Sequence, residues 1–153
     1  MSAPRVRPGT SADAGVVGEL FFRLWPDDTL AAHSAEAALV LAGAAPGTLP
    51  LTVLVAEVEG EVVGFAQVGL RSHADGCDTA HPVGFLEGWY VRPAHQRRGI
   101  GRALVRAAEE WARGHGCREM ASDTWLESEE SQAAHAALGF EIVDRVVNFR
   151  KSL

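Results

Sequence analysis

The sequence predicts an α/β (α+β) domain in which strands and helices share one core, and three observations predict it. Residues Phe85 to Val91 read as an apolar strand that runs through a basic, glycine-containing turn into an amphipathic helix ending at Gly114. Two further apolar runs, Leu51 to Glu57 and Val62 to Val68, flank Glu59-Gly60-Glu61 and read as a hairpin. Extended and helical patterns then alternate to the end of the chain, giving the order β-α-α-β-β-β-α-β-α-β.

Taken in order, Arg5 to Arg7 is a short strand ended by Pro8-Gly9. Ser11 or Thr10 can cap a helix from about Asp13 to Leu24, with Val16, Val17, Leu20, Phe21 and Leu24 on its inner face. Trp25-Pro26-Asp27-Asp28 breaks that helix, and an alanine-rich one follows from Ala31 to Leu41. A Gly/Pro loop leads to the hairpin, and the polar loop Ser72 to Pro82 leads to the Phe85 strand. Beyond it, Ile100, Ala103, Leu104, Ala107, Ala108 and Trp111 recur on one helical face, while Arg102, Arg106, Glu109, Glu110 and Arg113 take the other. A strand over Glu119 to Asp123, a helix over Ser128 to Leu138 and a last strand over about Ile142 to Arg150 complete the reading.

At 153 residues the chain is one domain, 1–153, long enough to bury about 68–70% of its unfolded surface. A composition of 47% hydrophobic and 22% charged residues is that of an ordinary globular protein. The net charge of −6 argues against nucleic acid as a partner and is compatible with a cationic one. Arg92, Arg97, Arg98, Arg102 and Arg106 crowd around the glycine turn, whereas most carboxylates lie elsewhere. Cys77 and Cys117 make no disulfide framework, and the six histidines form no metal-ligand cluster, so no metal is expected. No apolar run marks a signal peptide or a membrane span, and the expected setting is cytoplasmic.

The turn Arg92-Pro93-Ala94-His95-Gln96-Arg97-Arg98-Gly99-Ile100-Gly101-Arg102 carries the first chemical signal. Backbone N–H groups at the start of a helix have no intrahelical partners, so several can converge on one anion, aided by the helix dipole. The turn is not a Walker loop, because no Gly-Lys-Ser/Thr follows, and it lacks the three-glycine dinucleotide spacing. Glu87 is the second signal. A carboxylate flanked by Phe85, Leu86, Trp89 and Tyr90 is costly to bury unpaired, so it stands at a cleft or is satisfied by an arginine. Asp123 at a strand end binds a cation or caps the next helix. Gly88 inside the strand marks a bulge or a close backbone approach.

Gln96-Arg97-Arg98-Gly99-Ile100-Gly101 resembles the Q/R-x-x-G-x-G/A signature of the GCN5-related N-acetyltransferases. Val91-Arg92-Pro93 before it, the amphipathic helix after it and Leu138-Gly139-Phe140 near the C-terminus extend the resemblance over nearly the whole chain. It implies a mixed sheet flanked by helices and splayed between its fourth and fifth strands, with acetyl-coenzyme A as cosubstrate in the opening. On that pattern Gly99, Ile100 and Gly101 hold the pyrophosphate with at least one of Arg97, Arg98 and Arg102. Trp89, Tyr90, Val91 and Ser128 meet the rest of the cofactor, and backbone N–H groups near Tyr90 and Val91 polarise the acetyl carbonyl.

Leu24-Trp25-Pro26, Gly76-Cys77-Asp78, Phe85-Leu86-Glu87-Gly88, the run Gly116 to Thr124, Leu138-Gly139-Phe140-Glu141 and Asp144-Arg145-Val146-Val147 look more specifically like the aminoglycoside 6′-N-acetyltransferases. By that resemblance Trp25, Glu87, Asp123 and Asp144 face a cationic aminoglycoside, and the chain pairs as a homodimer through C-terminal strands. Glu87 would draw the proton from the acceptor amine, and Asp123 would hold other ammonium groups. The chain departs from relatives at His135, where many acetyltransferases have a tyrosine, at Ser128 in place of an asparagine, and at His73-Ala74 in place of a tyrosine. Other readings of the residues are a core tryptophan at Trp25, a surface carboxylate at Asp144 and a structural histidine at His135. Other readings of the function are acetylation of a polyamine, an amino acid or a protein N-terminal amine, or a noncatalytic coenzyme A sensor.

Overall fold

The computed structural model describes residues 2–153. Its elements are β1 (Arg5–Pro8), α1 (Ala14–Leu24), α2 (Leu30–Leu41), β2 (Leu51–Val58), β3 (Glu61–Arg71), β4 (Val83–Val91), α3 (Ile100–Gly114), β5 (Met120–Ser122) and α4 (Glu129–Ala137). The five strands form one mixed sheet in the order of the sequence. Pairing is antiparallel from β1 to β4 and parallel between β4 and β5.

The sheet is buried on both faces, and the strand sequences say which side chain goes where. Along β2, Val53 and Val55 join Val17, Leu20, Phe21 and Ala37 under α1 and α2. Their neighbours Leu54 and Ala56 join Val63, Ala66, Leu104, Val105 and Ala108 under α3. Val17, Leu20, Phe21, Leu104 and Val105 are completely buried, each contributing about 1.5–3 kcal/mol of hydrophobic stabilisation as an upper estimate. The β2–β3 hairpin closes through Glu59 and Gly60, both at positive φ (52° and 83°), the geometry whose twist matches the flanking strands.

β1 is pinned to the sheet by charge. The Arg7 guanidinium donates to both Asp13 oxygens (2.8 and 3.0 Å) and to Glu57 (2.6 Å), and Asp13 also accepts the Thr10 N–H at 2.8 Å. The hydrogen bonds from Arg7, opposed by burial and reinforced by Thr10, pull the Asp13 carboxyl down to about 2. The shift is downward, so its stabilisation is in place above the ordinary carboxylate range near pH 4 and disappears as pH falls through about 2.

One sequence expectation fails. The last strand, expected over Ile142 to Arg150, does not form: residues 140–153 have no regular secondary structure, and the sheet ends at β5. A strand needs a neighbour for its backbone N–H and C=O groups, and none of the described strands runs beside this segment. Ile142, Val143, Val146, Val147 and Phe149 are exposed as a result. No helix among the described residues is long and apolar enough to cross a membrane.

Candidate active site

The sheet opens between β4 and β5. Their parallel pairing covers only Gly84–Leu86 against Met120–Ser122, so Glu87 to Val91 continue without a partner on that side. The fork is tied at its apex: the Ser122 hydroxyl donates to the Leu86 carbonyl at 2.9 Å, and His135 Nε2 lies 2.8 Å from the same hydroxyl. His135 Nδ1 faces the Ser131 carbonyl at 2.7 Å, an atom that only accepts, so Nδ1 donates to it. The His135 ring also meets Trp89 and Phe140 edge-on, at 4.8 and 5.3 Å between centroids. This histidine therefore clamps α4 onto the fork, in line with its structural reading.

Which backbone groups face the opening follows from the ladder. Arg92 N–H donates to Val63 O at 2.8 Å, and in an antiparallel ladder alternate residues point the same way. Tyr90 N–H is thereby directed at β3, while the N–H groups of Trp89 and Val91 point into the fork. Of the groups near Tyr90 and Val91 expected at the opening, those of Trp89 and Val91 are the ones that face it. Side chains follow the same alternation: Trp89 and Val91 pack beneath α3, and Tyr90 packs on the α1 side.

At the far end of the fork, α3 begins. Its first backbone bond runs from Ala103 N–H to Gly99 O, leaving the N–H groups of Ile100, Gly101 and Arg102 without intrahelical partners. Gly99 caps the helix at φ 80°, a left-handed conformation that a side chain resists. Gly101 plays a different part. It is helical, and a Cβ there would lie 3.3 Å from the Trp89 indole nitrogen, so its smallness lets Trp89 fill the space between α3 and His135. Gln96 Nε2 donates to Val91 O at 2.8 Å and ties the turn to the strand end. Arg97, at φ 61°, and Arg98 and Arg102 are exposed around these amides. Arg102 also donates to the Ala137 carbonyl at 3.5 Å, and Arg92 is committed to Glu19 of α1 at 3.0 Å. Three convergent amides, a missing side chain and a basic rim are the donor set a pyrophosphate needs.

Glu87 is the extra residue of a β4 bulge: Leu86 faces Val68 and Gly88 faces Gln67, with Glu87 unmatched between them. A bulge re-aims its side chain, and this one turns into a cleft of about 270 Å³ bounded by the Pro46 to Leu51 loop, Gly69, Leu70 and Arg71. The carboxylate is paired there with Arg71, at 3.0 Å. Of the two alternatives read from the sequence, the arginine is present, and the carboxylate also borders a cleft. Trp25 lies over the next residue, its ring 2.7 Å from where a Gly88 Cβ would stand. The same ring packs on Phe21 and Phe65 at 5.4 and 5.9 Å and remains half-buried at the edge of the core.

Asp123 emerges, exposed, directly after Ser122 at the fork and makes no side-chain hydrogen bond among the described residues. Ser128 is half-buried at the start of α4, its carbonyl receiving Gln132 N–H at 3.0 Å. Asp144 is on the C-terminal segment, where its carboxylate accepts the Arg145 N–H and nothing in the described residues connects it to Glu87 or Asp123. Arg71 and Ser122 are the residues sequence reading missed. Their roles depend on the β3–β4 and β4–β5 registers, which no local pattern reveals.

A split sheet whose fork leads to a helix-terminal anion site defines an acyl-carrier-binding transferase fold, and the chain belongs to the acetyltransferase (GNAT) family, whose profile matches residues 18–140. Over 153 residues it is 46% identical to an aminoglycoside N(6′)-acetyltransferase type 1 of Klebsiella aerogenes, covering 99% of each chain. It is 45% identical to one of Stenotrophomonas maltophilia, over 99% of this chain and 95% of that protein. Among solved structures, AAC(6′)-Iy in complex with the bisubstrate analogue CoA-S-monomethyl-acetylneamine superposes with a TM-score of 0.88 at 36% identity, over 99% of this chain and all of the other.

Proposed function

We propose that this protein is an aminoglycoside 6′-N-acetyltransferase that uses acetyl-coenzyme A. The observation that carries the reading is the Glu87 carboxylate on its bulge, beside a fork whose unpaired backbone leads to three free helix amides. The full-length likeness to enzymes of that name supports the acceptor.

An amine resembling that of lysine has a pKa near 10.4 and arrives protonated, so it must lose a proton before it can attack. Glu87, directly or through a water, takes that proton. Asp123 and Trp25 hold and orient the rest of the polycation, and Asp144 adds a carboxylate. The amides of Ile100, Gly101 and Arg102 hold the pyrophosphate, with Arg97, Arg98 and Arg102 around it and Ser128 at the rim. Acetyl-coenzyme A supplies a thioester whose C–S bond breaks as the acceptor nitrogen bonds the carbonyl carbon, the sulfur leaving as thiolate. The Trp89 and Val91 N–H groups, aimed into the fork, stabilise the negative charge that builds on the carbonyl oxygen. Direct transfer is the expected route: neither Cys77 nor Cys117 lines the Glu87 cleft or sits in a motif for an acetyl-enzyme, and burial pushes both thiols up.

Thiol release is expected with tobramycin and kanamycin and not with spermidine, free amino acids or an N-terminal peptide. Turnover of the peptide with none on either drug overturns the acceptor, and coenzyme A binding without turnover of any amine overturns the enzyme.

A homodimer is part of the proposal. The exposed apolar residues Ile142, Val146, Val147 and Phe149 lie on a segment without strand partners, and β5 is a three-residue edge strand. A second copy covering both removes the exposed apolar surface and the open sheet edge. Sedimentation is expected to give a dimer at micromolar concentration and a monomer for Val147→Asp/Phe149→Asp; a monomeric parent protein rejects the assembly. A cytoplasmic setting fits the two free cysteines.

A further inference from the structure

We infer that Arg71 is a built-in counter-ion that occupies the Glu87 carboxylate in the free protein and yields that place to the acceptor's ammonium group. The inference rests on the acceptor reading above and assigns a specificity-determining role to a residue outside it.

Arg71 is the last residue of β3, opposite Val83. Its Nη2 lies 3.0 and 3.3 Å from the two Glu87 oxygens, so a single nitrogen is shared between both. The guanidinium carbon sits 3.4 Å from the centroid of the buried Phe85 ring, two residues before Glu87 on the same strand. These two are the charged residues lining the cleft, which is therefore neutral while the pair is made. An arriving ammonium group meets a carboxylate already paired with a cation. It takes the shared position between the two oxygens only if that cation moves.

The pair is built to release. Its side chains are 46% and 31% exposed, and one nitrogen shared between two oxygens lacks the strength of a two-nitrogen fork. Phe85 gives the guanidinium a second anchor that does not depend on Glu87. Arg71 can thus let go of the carboxylate and stay over the ring, next to the site. In the free protein it keeps the bulged carboxylate compensated, and the cost of displacing it is met most readily by an acceptor with several ammonium groups, which Asp123 can hold at the same time.

Two measurements test this on the full-length protein without acetyl-coenzyme A, using tobramycin. Calorimetry on Arg71→Gln, and on Arg71→Met, which keeps a side chain over Phe85, is expected to give a Kd roughly two- to fivefold below that of the parent, the range an exposed ion pair contributes. The side-chain proton–nitrogen NMR signal of Arg71, assigned by its loss in Arg71→Gln, is expected to shift on saturation with tobramycin. An unchanged or weaker Kd, or an Arg71 signal that stays in place at saturation, overturns the proposal. Parent protein that neither binds nor acetylates any aminoglycoside refutes the acceptor reading instead. Coenzyme A affinity, read in parallel, reports that the variants keep their fold.

Discussion

Glu87→Gln is expected to lower kcat for aminoglycoside acetylation by about 100-fold or more, within the range that general-base catalysis supplies. The glutamine keeps the size and one acceptor oxygen of the carboxylate but cannot take up a proton. The bulge is set by the backbone registers of Val68 and Gln67 against Leu86 and Gly88, so the side chain still projects into the cleft. Acceptor affinity should fall less than kcat: the unpaired Arg71 left in the cleft repels one ammonium group, but it is half-exposed and anchored over Phe85, where that repulsion is screened. Asp123→Asn should do the reverse. Its exposed carboxylate at the fork is not committed to another described side chain, so removing the charge weakens binding of the polycation in ground state and transition state alike, raising KM. Both variants should bind coenzyme A normally. The measurement is steady-state kinetics on one aminoglycoside across a range of pH, with cofactor affinity read separately. Near-normal turnover by Glu87→Gln throughout that range sinks the proposed base.

What could be read in the sequence was whatever depends on neighbours in the chain. The α3 stripe from Ile100 to Ala108 is a local period, and the Gly99 turn is a local conformation, so both were legible. Glu87 was conspicuous because a carboxylate among Phe85, Leu86, Trp89 and Tyr90 violates the strand's own pattern. Its partner was not, because Arg71 is 16 residues away and meets Glu87 only in one register of β3 on β4, with one extra residue in the bulge. Parity also decides which of the amides near Tyr90 and Val91 face the opening: a shift of one residue exchanges the groups that face β3 with those that face the fork, and Trp89 and Val91 are the ones on the fork side. Gly101 read as a turn residue, yet its value lies in the indole packed against it, a tertiary contact. The segment from Ile142 to Arg150 has a strand's composition, but composition supplies no hydrogen-bonding neighbour, and none of the described strands pairs with it.

Introducing a carboxylate at the anion site separates cofactor binding from everything else. Gly101→Asp places a negative side chain on the first turn of α3, beside the Ile100, Gly101 and Arg102 amides. The free helix tolerates this well, since an acidic residue in the first turn is favoured by the helix dipole. Its Cβ would stand 3.3 Å from the Trp89 indole, a few tenths of an ångström too close, which a small rotation of the half-buried ring relieves. Thermal stability should therefore change little. Pyrophosphate binding should not survive, because the new carboxylate takes the amide donors and repels the phosphates. Loss of two charge-assisted hydrogen bonds alone corresponds to about 100-fold in Kd for coenzyme A. Gly99→Asp should weaken the cofactor by the same repulsion and lower the melting temperature as well, since it forces a side chain into the left-handed conformation at φ 80°. Aminoglycoside affinity, proposed to depend mainly on Asp123, should stay within a few-fold of the parent in Gly101→Asp. Calorimetry with each ligand and a melting curve for each variant decide the matter: a Gly101→Asp protein that binds coenzyme A within threefold of the parent removes the α3 amides from the cofactor site, whereas equal loss of both ligands with a lowered melting temperature means that the substitution has damaged the fold.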